Sequence, residues 1–79
     1  MKIKVRFFGY VAEKAGRTDF DVEADPTVAA LVEAVKRKLP ALSTLPPSVR
    51  FAVNTDYASL STALKPGDTV SFIPPVGGG

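Results

Sequence analysis

The segment Asp25-Pro26-Thr27-Val28-Ala29-Ala30-Leu31-Val32-Glu33-Ala34-Val35-Lys36-Arg37-Lys38-Leu39-Pro40 decides the fold, because it reads as one amphipathic helix. Val28, Leu31, Val32, Val35 and Leu39 fall at i, i+3, i+4, i+7 and i+11, a single apolar stripe at helical spacing. Asp25 or Thr27 can accept from the free N–H groups of the first turn, and a proline is tolerated there because no N–H is required of it. Lys36, Arg37 and Lys38 crowd the last turn, where cations suit the carbonyl end of the helix dipole, and Pro40 stops the helix. An anion site would use the other end of a helix, so this basic cluster is read as structural.

Working outward, both flanks read as strands. On the N-terminal side Ile3, Val5 and Phe7 point one way, and Lys2, Lys4 and Arg6 the other. After a loop around Ala15-Gly16-Arg17, Thr18, Phe20 and Val22 alternate with Asp19, Asp21 and Glu23. The two outward rows carry opposite charge. Paired as an antiparallel hairpin they attract, by about 0.2–1 kcal/mol per cross-strand pair, which accounts for the basic row without RNA. On the C-terminal side, residues 40–48 hold three prolines and read as an irregular connection. Val49, Phe51 and Val53 restore the strand period up to a turn at Asn54-Thr55-Asp56, and Tyr57 begins a short partner strand. Leu60 and Leu64 are expected to anchor a loop to the core. Lys65-Pro66-Gly67-Asp68 makes a tight turn into the last strand, with Val70 and Phe72 inward and Thr69, Ser71 and Ile73 outward.

One helix covers one face of a sheet, so the expected architecture is a two-layer α+β domain over residues 1–73: a mixed sheet of four to five strands on one main helix, followed by a flexible tail, residues 74–79. The first and last strands are the most apolar and belong at the centre. If they pair in parallel, their ends at Phe8 and Ile73 lie side by side.

Composition narrows the chemistry. Seventy-nine residues form one domain, with ten Lys+Arg against eight Asp+Glu and a net charge of +2. That mild excess argues for solubility rather than nucleic-acid binding. Apolar runs fall far short of the roughly 20 residues that span a bilayer, and the alternating start is unlike a signal peptide, so a cytoplasmic protein is expected. With no histidine and no cysteine, thiol nucleophiles, Ser-His-Asp triads and Cys/His metal sites are excluded.

The functional signal is at the end: Ile73, then Pro74-Pro75-Val76-Gly77-Gly78-Gly79. Two prolines stop the sheet and hold the backbone extended. Three glycines add no bulk, and six residues reach roughly 20 Å, enough to enter a partner's buried site. The carboxylate of Gly79 is sterically bare. Fraying is the competing reading of a glycine-rich terminus; a phosphate loop would need a helix after the glycines. Phe8 and Ile73, joined by Tyr57, break an otherwise charged outward face and suggest a docking patch beside the tail.

Phe7-Phe8, Ala15-Gly16, Thr27-Val28, Ala52-Val53-Asn54, Leu64-Lys65-Pro66-Gly67-Asp68-Thr69-Val70 and Pro74-Pro75-Val76-Gly77-Gly78-Gly79 together resemble the MoaD/ThiS family of ubiquitin-like sulfur carriers. The resemblance covers essentially the whole chain and implies a β-grasp fold. Pro-Pro-Val points to the MoaD branch, the small subunit of molybdopterin synthase in molybdenum cofactor biosynthesis. It implies that the Gly79 carboxylate, next to Gly78, is adenylated by an E1-like, MoeB-like enzyme and converted to a thiocarboxylate. Sulfur then passes to a pterin precursor inside the MoaE-like large subunit. ATP is used by the activating partner, and this chain, not catalytic alone, binds no cofactor. Phe8, Tyr57, Ile73, Pro74, Pro75, Val76 and Gly77 are the implied partner contacts of a hetero-oligomer. Thiazole synthesis, tRNA thiolation, protein modification and a plain β-grasp interaction module are the alternative readings.

Overall fold

The structure is a computed structural model and describes residues 1–75. Five strands, β1 (Lys2–Phe7), β2 (Asp19–Glu23), β3 (Arg50–Val53), β4 (Asp56–Ala58) and β5 (Thr69–Ile73), form one mixed sheet in the order β2-β1-β5-β3-β4. The expected hairpin pairs Lys2 with Glu23, Lys4 with Asp21 and Arg6 with Asp19. Arg6 Nε lies 3.3 Å from Asp19 Oδ1. This ion pair is half exposed, so its value lies at the low end of the range expected for surface pairs. β1 and β5 are parallel, with Phe7 beside Phe72, and β3 closes antiparallel on the other side of β5.

The inner face of the sheet packs on helix α2 (Val28–Lys38), whose Val28, Leu31, Val32 and Val35 are all buried. Thr27, rather than Asp25, caps it: its hydroxyl oxygen accepts from the Ala30 N–H at 3.1 Å. Two further N–H groups of the first turn, those of Val28 and Ala29, donate to the carbonyls of Thr62 and Leu60 at 3.0 and 2.9 Å. Leu64 is buried as expected, but the Leu60 side chain is 53% exposed. Leu60 holds the loop through its backbone carbonyl, because helix-terminal N–H groups need acceptors. At the centre, Phe72 stands edge-on to Phe7 (centroids 5.3 Å) and to Phe51 (4.9 Å), joining β1, β5 and β3. Ser71 points to the outer face yet is buried, between Arg6 and Ala52 on the neighbouring strands.

Two elements depart from the sequence reading. Gly9–Ala15, for which the sequence reading gave no element ahead of the loop around Ala15-Gly16-Arg17, is a second helix, α1, which buries Val11. Pro40–Thr44, expected to be irregular, is a 3-10 helix burying Leu42. Among the described residues, no helix is long and apolar enough to cross a membrane.

The turn before β5 is held by Asp68. Its carboxylate accepts from the Lys65 N–H at 2.8 Å and from the Asn54 side-chain amide at 3.0 Å. Asn54, at φ 57, also accepts from the Thr69 N–H. The backbone bond from Lys65, then the bond from Asn54, hold the Asp68 carboxyl below the ordinary carboxylate range. A carboxyl depressed by folding stabilises the native state above its unfolded value and ceases to do so as the pH falls through its folded value. The urea midpoint is therefore expected to fall on acidification below about pH 4, and to fall less in Asp68→Asn. Equal acid losses in the two proteins would show that the turn does not contribute.

Candidate functional site at the sheet exit

The parallel pairing of β1 and β5 brings the ends of both central strands to one edge. The Phe8 N–H donates to the Phe72 carbonyl at 3.2 Å, the last bond between them. Beyond it the chains part, β1 into α1 and β5 into Pro74-Pro75, where proline ends the ladder. Between them is an open groove of about 530 Å³, lined by Phe8, Gly9, Tyr10, Ile73, Pro74 and Pro75. Phe8 is 44% exposed and Tyr10 38%, and Ile73 and Pro74 are half-buried. An apolar cluster left this open on a domain this small is a candidate docking surface.

Tyr57 stands apart from that groove, across Pro75. Ala52 opposite Tyr57 and Ser71 opposite Ala52 put all three on the outer face, and Arg50 sits opposite Ile73. Tyr57 is 70% exposed, and the Arg50 guanidinium lies 6.0 Å from its ring centroid. Pro47, Arg50, Tyr57 and Pro75 border a second hollow. Pro75 thus divides one apolar apron, with Phe8 and Ile73 on one side and Tyr57 on the other. The Arg6 guanidinium, 6.0 Å from the Phe8 ring centroid, and Arg50 frame it with positive charge.

Of the residues expected at the site, Phe8, Ile73, Pro74 and Pro75 converge, and Tyr57 joins through Pro75. Val76, Gly77, Gly78 and Gly79 lie outside the described residues. Gly9 and Tyr10 line the same groove and Arg50 borders the adjoining hollow, and none of the three was singled out in the sequence. Counting outward from the Asn54-Thr55 turn pairs Ala52 with Tyr57, which would have brought Arg50 to the same face.

Comparison with known proteins agrees with this geometry. A two-layer domain with parallel central strands closed over one main helix is a β-grasp, the ubiquitin-like class. The chain belongs to the ThiS family, whose model matches residues 5–79. It is 39% identical, over all of this chain and 99% of the relative, to the molybdopterin synthase sulfur carrier subunit of Mycobacterium tuberculosis. Among solved structures it is similar to SAMP1 of Haloferax volcanii, with a TM-score of 0.88, 28% identity and full coverage of both chains. It is also similar to a chain in the complex of subunits 1 and 2 of the molybdopterin-converting factor from Helicobacter pylori, with a TM-score of 0.73, 31% identity and full coverage of both chains.

Proposed function

We propose that this chain is the sulfur carrier of a molybdopterin synthase, working as its small subunit in molybdenum cofactor biosynthesis. The observation that carries the reading is the apolar apron at the root of a segment ending in Gly77-Gly78-Gly79, in a chain similar over its full length to a sulfur carrier subunit.

The chemistry follows from what the residues lack. A carboxylate is a poor electrophile, and this chain has no histidine or cysteine with which to change that. An E1-like enzyme therefore activates the end: a Gly79 carboxylate oxygen attacks the α-phosphorus of ATP, pyrophosphate leaves, and an acyl-adenylate forms. Sulfur at the oxidation level of hydrosulfide attacks the acyl carbon and AMP departs, leaving a thiocarboxylate. The bare glycines admit the nucleophile from either face. The chain itself holds no cofactor and catalyses none of these steps; it carries the group into a large subunit, where the sulfur passes to a pterin precursor. On this reading it belongs in the cytoplasm, since activation draws on ATP.

Intact-mass spectrometry tests the reading. Incubation with an activating enzyme of this class, ATP and hydrosulfide is expected to exchange one terminal oxygen for sulfur. No exchange under conditions that load an authentic carrier would overturn it. A second reading, a modifier joined to protein lysines, is favoured by the similarity to the archaeal modifier SAMP1; lysine conjugates recovered in place of a large subunit would support it.

The apron is the partner-docking surface on the same reading. Ile73→Asp, which places a charge between Phe8 and Pro75, is expected to weaken binding of the large subunit by tenfold or more, as for a residue at an interface centre. Circular dichroism is expected to be unchanged, because Ile73 is half-exposed at a strand end. Unaltered affinity by calorimetry would remove this face from the interface.

A further inference from the structure

Gly9 lies where the two central strands part, with φ +53, a backbone conformation that side chains disfavour. The more telling fact is spatial. A methyl carbon built on Gly9 would lie 2.8 Å from Cγ of Pro74 and 3.7 Å from its Cδ. Carbon atoms in ordinary contact are about 3.5–4.0 Å apart, so the Pro74 ring occupies the space a side chain would need. Gly16 and Gly67 also have positive φ, but nothing lies within 4 Å of a carbon built on either. A turn alone therefore does not account for Gly9.

We infer that Gly9 is a positioning residue for the carrier reaction: the Pro74 ring seats on its bare backbone, and this seat sets the direction in which the chain after Pro75 leaves the body. Three observations converge on it. The Phe8 N–H is tied to the Phe72 carbonyl, so the floor of the seat is fixed to the strand that carries the prolines. Phe8, Tyr10 and Ile73 wall the groove around Pro74. The ring of Pro74 restricts its own φ, so fixing the ring fixes the start of the segment. Gly79 follows Pro74 by five residues, so the direction taken at the root bears on the region its carboxylate can reach, and misplacement of a reactive atom costs rate steeply.

The inference rests on the carrier reading for its consequence but not for its geometry, and the test separates the two. In the nuclear magnetic resonance spectrum of the unmodified full-length chain, cross-peaks between the Gly9 Hα protons and the Pro74 Hγ protons are expected. Their absence overturns the seat whatever the protein does. Single-turnover loading with saturating activating enzyme, ATP and hydrosulfide then reads the effect. Gly9→Ala is expected to slow loading by about tenfold when residue 74 is proline, and by less than about twofold in a Pro74→Ala background, where no ring remains to be displaced. An equal loss in both backgrounds would make Gly9 a backbone requirement only and overturn the inference. An unmodified chain that is not loaded at all counts against the carrier reading, while the cross-peaks still decide the seat.

Discussion

Deleting Gly79 is expected to abolish sulfur loading completely while leaving the thermal midpoint nearly unchanged. The proposed chemistry uses one carboxyl group, and its position relative to the apron is set by chain length. Removing one residue withdraws the reactive carbon by about 3.5 Å, while the new end, Gly78, has the same chemical character. Chemical identity and reach are thereby separated: if any glycine carboxylate served, the shortened chain would still gain sulfur. Terminal residues contribute little to domain stability, so the midpoint serves as the control. Loading of the shortened chain at the full rate would show that reach is not measured. A large fall in the midpoint would show instead that the segment is packed against the body.

Phe72→Ala has the largest expected effect on the body itself. Phe72 is fully buried on the central strand and stands edge-on to Phe7 and Phe51 from the strands on either side. Truncating a buried phenylalanine costs about 3–5 kcal/mol, from lost transfer energy and the cavity left behind. A domain of this size has roughly 4–12 kcal/mol in all. The substitution is therefore expected to remove about a quarter or more of the stability, read as a lowered urea midpoint. Because the Phe72 carbonyl also accepts from the Phe8 N–H, loading should fall in parallel with the folded fraction. A loss under about 1 kcal/mol would contradict the packing described, since core truncations rarely cost so little.

The parts legible in the sequence were those where one pattern repeats over several residues against a single environment. β1, β2 and α2 each bury one face of an amphipathic element, and the opposite charge rows on Lys2, Lys4, Arg6 and on Asp19, Asp21, Glu23 pointed to the antiparallel pairing, whose register the structure supplies. Helix α1 was not legible because it has little to repeat: seven residues, a glycine start, Val11 as its only fully buried residue, and Phe8 as an N-cap with no side-chain bond. Its one hint was the i, i+4 spacing of Val11 and Ala15. The 3-10 helix was hidden by the prolines around it, although Leu39, Leu42 and Leu45 recur every three residues, which is its own period.

At the site, parity along β1 and β5 put Phe8 and Ile73 on the outer face, and the break in charge pattern made them visible. Gly9 was not visible, because what requires it is a residue 65 positions away that packs on it. A contact of that kind leaves no local mark. Tyr10 was missed with the helix that contains it, and Arg50, between Val49 and Phe51, was not singled out.

The strand order also has a consequence for biosynthesis. Both β1 and β3 hydrogen-bond to β5, the last in chain order of the strands among the described residues. Before Thr69–Ile73 emerges, the nascent polypeptide has two strand pairs and no strand to join them into one sheet, so completion of the sheet must wait on contacts between its distant halves, the kind that close slowly. A product cut short upstream of Thr69 would lack the middle strand of its own sheet.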